Sequence, residues 1–190
     1  MTARETNFRA YPAYAKSKIL AVAAVVVIAA LCLAPGRLFA FNKANLDSLL
    51  ATGRCEWCDL SNADLSREDL PKARLSNANL SGANLSGADL SDANLNNANL
   101  NNANLKGANL TNAFLKGAYL RGANLSRANL QNATLDKANL QEADLTDANL
   151  SRASLAGTTW TSGRKCEDNS VGECVGDPSR RAPAGQGIPF

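Results

Sequence analysis

The sequence predicts an all-β protein built as a β-solenoid, a coil of short extended segments stacked on one another. Three observations predict it. Leu recurs every five residues from Leu60 to Leu155, and the position two residues before Leu is Ala in eighteen of these twenty repeats. Two residues after Leu, twelve of the twenty positions are Gly or Asn, which accept the positive φ of a tight turn.

A period of five fits no single regular element. Five steps of about 100° turn a helix through about 140°, which scatters Leu around its circumference. On a straight strand, an odd period sends successive Leu side chains to opposite faces. Within one repeat, however, Ala and Leu are two residues apart, so a short extended segment points both inward before the chain turns. The eight turn positions that are neither Gly nor Asn, such as Arg127 and Glu142, indicate that other turn types are mixed in.

Runs such as Ala78-Asn79-Leu80-Ser81-Gly82 and Ala83-Asn84-Leu85-Ser86-Gly87 resemble the pentapeptide repeat family, whose pattern is A-(D/N)-L-x-x. The resemblance covers about half of the chain and implies a right-handed, quadrilateral β-helix with one repeat on each side. Over residues 59–157, twenty repeats then form about five coils, a column roughly 24 Å long at a strand spacing of ~4.8 Å.

Residues 1–40 predict an export signal or a signal anchor. The sixteen uncharged residues from Ile19 to Ala34 follow a basic cluster, and Ala40 suits the last position before a cleavage site. The length of the apolar helix 19–34 leaves open whether it is cleaved or retained as a single-pass transmembrane helix that tethers the protein to the membrane. In both cases the repeat domain is expected outside the cytoplasmic membrane, in a periplasm, a lumen or the medium, because the preceding basic residues stay in the cytoplasm.

Caps are expected at both ends of the solenoid because exposed strand edges invite aggregation. The N-terminal cap, residues 41–58, includes a predicted short helix from Asn42 to Thr52 with Gly53 after its end. The C-terminal cap is expected over residues 158–176. Residues 177–190, which contain three Pro residues, are predicted to be a disordered tail.

The cysteines predict disulfides, since an exported domain meets an oxidising compartment. We expect Cys166 and Cys174 to form a disulfide that closes the C-terminal cap. For Cys55 and Cys58, a disulfide and two reduced, buried thiols are both open. Zinc would need two further ligands, and no metal or other cofactor is predicted.

The most familiar kinds of enzyme active site are excluded by composition. The chain has no His, so it contains no Ser-His-Asp triad, Cys-His pair or His-ligated metal. From Asp59 to Leu155, nine Lys and Arg stand against ten Asp and Glu, so no basic face for nucleic acid is expected. Some pentapeptide repeat proteins bind DNA gyrase by imitating duplex DNA; the near-neutral repeats and the export segment argue against that activity here.

The predicted function is therefore a non-catalytic scaffold or protein–protein interaction module with an unknown protein partner. Its candidate interaction patch contains two aromatic residues in adjacent repeats and two nearby bases: Phe114, Tyr119, Lys116 and Arg121. An alternative is a binder of a repetitive ligand, glycan or ice, through Asn and Ser ladders. A thiol redox enzyme would depend only on Cys55 and Cys58, and a homodimer through one end of the column is also open.

One inward-facing position carries a charge. Glu68 stands where nearly every other repeat has Ala, in the first coil and three residues before Pro71. We expect this coil to be loosened, so that Glu68 reaches solvent or pairs with a nearby base.

Overall fold

The computed structural model describes residues 42–177. The predicted export segment and residues 178–190 of the predicted tail lie outside the described residues. Within residues 42–177, no helix is long and apolar enough to cross a membrane.

The repeats form a four-sided β-solenoid. Each repeat contributes one bridge residue, the residue before Leu, and each bridge residue pairs in parallel with the residue 20 positions later, from Arg54 with Arg74 to Asn139 with Thr159. The column therefore begins one repeat before the predicted start at Asp59, because Cys55 takes the place of Leu. It also extends one repeat beyond Leu155, with Trp160 in the Leu position.

The four sides are named here by their bridge residues. Side A contains Arg54, Arg74, Asn94, Phe114, Thr134 and Ser154. Side B contains Asp59, Asn79, Asn99, Tyr119, Asn139 and Thr159. Side C contains Asp64, Asn84, Asn104, Asn124 and Asp144. Side D contains Asp69, Asp89, Asn109, Asn129 and Asn149. The corners are named by the sides they join, so that Lys116 and Gly117 lie at corner A–B.

Leu and Ala fill the inside of the column. Every repeat Leu from Leu60 to Leu145 is at most 9% exposed, and the Ala side chains between them are equally buried. The core is thus a stack of Leu layers spaced by small residues. This arrangement agrees with the inward direction that the sequence predicts for both positions.

Every corner uses the same kind of turn. In each repeat the Leu carbonyl accepts a hydrogen bond from the N–H three residues later, for example Ala63 N to Leu60 O at 3.1 Å. The residue two after Leu has φ between 56° and 68° in all twenty repeats. The expectation of mixed turn types is therefore wrong, since Arg127 has φ 59° and Glu142 has φ 62°, as an Asn or Gly would.

Bonds between coils explain why charged residues accept this conformation. At mid-column, Leu105 N donates to Asn124 O at 2.7 Å, Asn124 N to Ala103 O at 2.9 Å, and Gly107 N to Ser126 O at 2.9 Å. The third bond fixes the turn residue itself. Positive φ costs a non-Gly residue about 1–2 kcal/mol, and the surrounding bonds impose it on each corner.

Helix α1, Lys43–Thr52, lies at the N-terminal end of the column. The Asn42 side chain caps its start by accepting from Ala44 N at 3.0 Å, and Gly53 ends it with φ 70°. Leu49 is fully buried against the core. The Asn42 N–H and the Asn45 Nδ2 both lie 3.3 Å from the carbonyl of Asp59, which has no earlier coil to bind.

The C-terminal cap is a return segment, residues 161–177, that runs back over two sides. Lys165 pairs antiparallel with Thr159 on side B, and Val171 pairs antiparallel with Ser154 on side A. Asp177 is buried and hydrogen-bonded by Ser162 Oγ, so this residue belongs to the cap and its placement in a disordered tail is wrong.

Candidate interaction surface

Phe114 and Tyr119 lie in the same coil on adjacent sides. Phe114 is on side A, between Asn94 and Thr134, and is 48% exposed. Tyr119 is on side B and is 53% exposed. Because bridge residues point outward while Ala and Leu point inward, both rings stand on the wall of the column. The structure thus places them as the repeat spacing predicts.

The two basic residues of the predicted patch differ in their surroundings. Lys116 lies at corner A–B between the two aromatic residues, is exposed, and has no ion-pair partner within residues 42–177. Arg121 lies at the next corner, B–C, and its Nη2 is 3.0 Å from Glu142 Oε1. The structure therefore groups Phe114, Lys116 and Tyr119, and places Arg121 beside them in an exposed ion pair.

Two further large apolar side chains are exposed on the same part of the column, and the sequence analysis does not single them out. Trp57 is 78% exposed at corner A–B of the first coil, and Val171 is 59% exposed beside side A at the other end. The place of Trp57 on this part of the column follows from the 20-residue repeat of the coils, because Trp57 lies three coils before Gly117 at the same corner. The place of Val171 does not follow from that repeat, because the return segment breaks the register.

Charge is distributed unevenly among the sides. Side A and corner A–B carry four basic and two acidic residues, a net of +2: Arg54, Arg74, Lys116 and Lys137 against Glu56 and Asp136. Sides C and D with corners C–D and D–A carry five basic and seven acidic residues, a net of −2. Side B with corner B–C carries Arg121 against Asp59 and Glu142, a net of −1. Phe114 and Lys116 therefore lie on the basic part of the column, and Tyr119 lies beside it.

The outward Asn residues are bonded within the wall. Asn79 Oδ1 accepts from Ser81 Oγ at 2.8 Å and from Asn99 Nδ2 at 3.1 Å, and the Nδ2 of Asn79 donates to Asp59 Oδ1 at 3.1 Å. Similar bonds join neighbouring coils on sides C and D. These amides are largely used by the protein itself, which gives a repetitive ligand few free groups to bind.

Both cysteine pairs are disulfide-bonded in the structure, Cys55 with Cys58 and Cys166 with Cys174. Cys55 and Cys58 are the first and fourth residues of a corner turn, with Trp57 in the positive-φ position. The bond thus clips the first turn of the column and lacks the helix start on which thioredoxin-like motifs depend. The second bond lies in the return segment, after the last coil.

Glu68 is half-buried at its inward-facing position. Burial, and then the neighbouring charges of Asp64 and Asp69, raise the pKa of its carboxyl group above the ordinary value. It forms no ion pair within residues 42–177, so the expected pairing with a base is not found there. Across the same described range, no three His, Cys, Asp or Glu residues are grouped to hold a metal ion.

Comparison with protein families matches the model for Pentapeptide repeats, in eight copies, to residues 54–92, 88–127 and 123–159. These ranges together span more than half of the chain. A comparison with curated proteins gave no match.

The solved structures similar to this chain include three pentapeptide repeat proteins. The pentapeptide repeat protein Rfr23 from Cyanothece 51142 is 33% identical over 62% of this chain and 98% of its own, with a TM-score of 0.38. HetL from Nostoc sp. PCC 7120, involved in heterocyst differentiation regulation, is 37% identical over 59% of this chain and 65% of its own, with a TM-score of 0.29. The Arabidopsis thaliana thylakoid lumen protein AT2G44920 is 31% identical over 56% of this chain and 68% of its own, with a TM-score of 0.29. The family match over more than half the sequence, together with the four-sided column, establishes that this chain belongs to the pentapeptide repeat family.

Proposed function

We propose that this protein is a non-catalytic scaffold that binds a protein partner through sides A and B of its column. One observation carries the proposal. The four large apolar side chains that are exposed within residues 42–177 are Trp57, Phe114, Tyr119 and Val171, and all lie on side A, side B or the corner between them. Grouped aromatic residues are typical of the energetic centres of protein interfaces.

The column sets the spacing of these contacts. Phe114 lies three coils beyond the level of Trp57, and Val171 lies three strand steps beyond Phe114. At a strand spacing of ~4.8 Å, these three side chains are about 14 Å apart along the column and together span about 29 Å. A partner that used all of them would therefore be elongated along the column.

We also propose that the scaffold acts outside the cytoplasmic membrane. Two disulfides in one small domain are typical of oxidising compartments. The basic and apolar residues before Ala40 supply the matching export segment. Retention of that segment would tether the scaffold to the membrane, and cleavage would release it.

The test is a double variant, Phe114→Asn with Tyr119→Asn. Asn occupies the bridge position in ten of the twenty repeats, so the variant should keep the fold and remove only the aromatic contacts. We expect a partner that is crosslinked to the wild-type protein in its native compartment to be lost from the double variant. The matched control is Asn124→Thr on side C, which should retain the partner. Equal recovery with all three proteins would contradict the proposed surface.

A further inference from the structure

The C-terminal end of the column is covered on only two of its four sides. The return segment pairs with Thr159 on side B and with Ser154 on side A. Sides C and D end at Asp144 and Asn149, and no strand within residues 42–177 pairs with their outer edges. The end of the column is therefore a step, which is one strand higher on sides A and B than on sides C and D.

The step runs along a diagonal of the four-sided column. Gly172 lies at corner D–A, since a β-carbon there would be 3.7 Å from Arg152 N. From this corner the chain crosses to corner B–C, where Asp177 is buried and hydrogen-bonded to Ser162. The return segment is thus bounded by the diagonal that joins these two corners.

The lower half of the step has unpaired backbone groups. In earlier coils, the residues that flank a bridge residue bond to the next coil, as Leu125 N does to Asp144 O at 2.8 Å. Leu150, in the last coil, is only partly buried, whereas the corresponding Leu residues of the earlier coils are buried. The flanking groups of sides C and D in this coil have no hydrogen-bond partner within residues 42–177: the N–H groups of Leu145 and Leu150 and the carbonyls of Ala143 and Ala148.

The upper half of the step has the complementary groups. The neighbours of Lys165 make its antiparallel bonds to side B, for example Cys166 N to Thr158 O at 2.8 Å. Because backbone groups alternate in direction along a strand, the N–H and the carbonyl of Lys165 itself point away from its own column. Val171 is placed in the same way on side A. Within the described part of the chain, the N–H and carbonyl groups of these two residues have no hydrogen-bond partner.

A two-fold rotation about the diagonal brings the two halves of the step together. It places side B of one copy over side C of the other, and side A over side D, so that each return segment occupies the empty half-layer of the other copy. The rotation also reverses the direction in which the chain circles the column. The return segment runs antiparallel to its own coil and therefore lies parallel to the coil of the other copy, as successive coils of the column do.

We propose that two copies of this chain associate through their C-terminal ends, and that each return segment completes the last coil of the other copy. Lys165 of one copy pairs with Asp144 of the other, and Val171 pairs with Asn149. The first pair places opposite charges side by side on the wall, which stabilises this register. The second pair keeps the Val171 side chain on the outside of the column.

The unpaired groups of the two halves match in kind and in number. In a parallel pair, one residue donates its N–H to the residue before its opposite neighbour and accepts from the residue after it. Lys165 and Val171 each supply one such N–H and one such carbonyl. The N–H groups then donate to the carbonyls of Ala143 and Ala148, and the carbonyls accept from the N–H groups of Leu145 and Leu150.

The N-terminal end does not offer the same fit. No described strand covers sides C and D there either, but helix α1 lies across the other two sides. Asn45 Nδ2 donates to Asp59 O on side B, and Ser48 Oγ donates to Arg54 O on side A. A helix is about 10 Å in diameter, about twice the strand spacing of ~4.8 Å, so it holds a second column beyond strand-pairing distance.

Sedimentation velocity of the full chain in detergent micelles tests this proposal. The wild type should sediment as a dimer at micromolar concentration. Val171→Pro removes an N–H that has no partner within one copy, so this variant should fold, as circular dichroism will show, and its dimer dissociation constant should rise at least about tenfold. The matched control, Val171→Ala, keeps the N–H and should retain the wild-type dimer.

Carbodiimide crosslinking of the wild type gives an independent measurement. This reagent joins a Lys amine directly to a carboxylate, so it should link Lys165 to Asp144. Unlabelled and heavy-isotope-labelled chains are mixed, dissociated by dilution and reassociated before the reaction. Linked peptides with one labelled and one unlabelled half should appear, because the two residues belong to different copies.

Four results would overturn the proposal. The full chain could be a monomer at every concentration, or its dimer could be unchanged in Val171→Pro, which would assign association to another part of the chain. The Lys165–Asp144 link could form without mixed labels, which would place both residues in one copy. An open-ended polymer would indicate head-to-tail stacking of the columns.

Discussion

The Oδ1 atom of Asn62 lies 2.5 Å from the position that a β-carbon on Gly82 would occupy. The two residues share corner B–C in consecutive coils. Asn97 with Gly117 and Asn102 with Gly122 repeat this arrangement at the same distance. Gly at these corners thus supplies a positive φ and also leaves room for the Asn side chain of the coil before it.

This relationship gives a matched pair of substitutions. Gly107 has a similar φ of 65° but no atom within 4 Å of an added β-carbon. Gly82→Ala and Gly107→Ala should each lower the free energy of unfolding by about 1 kcal/mol through φ alone. Because the Asn62 side chain can rotate away, Gly82→Ala should cost no more than about 0.5 kcal/mol extra. Denaturant unfolding measures the free energy of unfolding of both variants. If Gly82→Ala cost over about 2 kcal/mol more than Gly107→Ala, the Asn62 side chain would be unable to move.

Truncation of a central Leu tests the core. Leu105 is fully buried at mid-column, so Leu105→Ala should destabilise the protein by roughly 2–5 kcal/mol through lost burial and a cavity. The neighbouring exposed residue supplies the control, since Lys106→Ala should change stability by less than about 0.5 kcal/mol. A thermal unfolding transition that is the same for both variants would be inconsistent with the Leu stack.

The repeated parts of the fold could be predicted because the same five-residue pattern occurs twenty times in succession. The inward direction of Leu and Ala follows from their two-residue spacing. The sequence pattern does not identify the first repeat, because Gly53 and Cys55 stand in its Ala and Leu positions. The return segment was missed because antiparallel pairing, such as Val171 with Ser154, has no five-residue signature.

The turns show a different limit of prediction from sequence. Local propensity predicts that Arg127 and Glu142 avoid positive φ, yet both adopt it. Hydrogen bonds to the next coil, such as Arg127 N to Thr146 O at 2.8 Å, override that preference. Local sequence therefore identifies the corner, while the stacked structure sets its conformation.

Glu68 should make stability depend on pH. Its pKa in the folded protein is raised above the ordinary value of 4.5, chiefly by burial. The folded state therefore holds the proton more tightly than the unfolded state, and the stability that this contributes is present below pH 4.5 and lost as pH rises through the raised pKa. Glu68→Gln removes this loss, so the stability of this variant relative to the wild type should increase as pH rises above 4.5, the ordinary pKa of the carboxyl group.

Asp59 supplies a control with the opposite sign. Its pKa is lowered, first by a hydrogen bond from the Ser61 side chain and then by the Ser61 N–H. Its contribution is present above the ordinary value of 3.8 and is lost as pH falls through the lowered pKa. The stability of Asp59→Asn relative to the wild type should therefore increase toward acid pH. If both variants showed the same pH trend, the assignment of Glu68 would be wrong.

Thiol counting tests the export proposal. In protein isolated under alkylating conditions without reductant, Cys55, Cys58, Cys166 and Cys174 should be unreactive, and Cys32 should be the only free thiol if the N-terminal segment is retained. Reduction should then release four more thiols. N-terminal sequencing of the same sample shows whether the chain begins at Phe41 or at its first residues. Four reactive thiols before reduction would place the domain in a reducing compartment.

Site-specific photo-crosslinking tests the central claim, that sides A and B form the partner-binding surface. A photoreactive phenylalanine analogue replaces Phe114 or Tyr119 on these sides, and Asn104 or Asn129 on sides C and D, in the full chain in its native compartment. The account predicts that the same partner is crosslinked from positions 114 and 119 and not from positions 104 and 129. Crosslinking of that partner from sides C and D, with none from sides A and B, would contradict it.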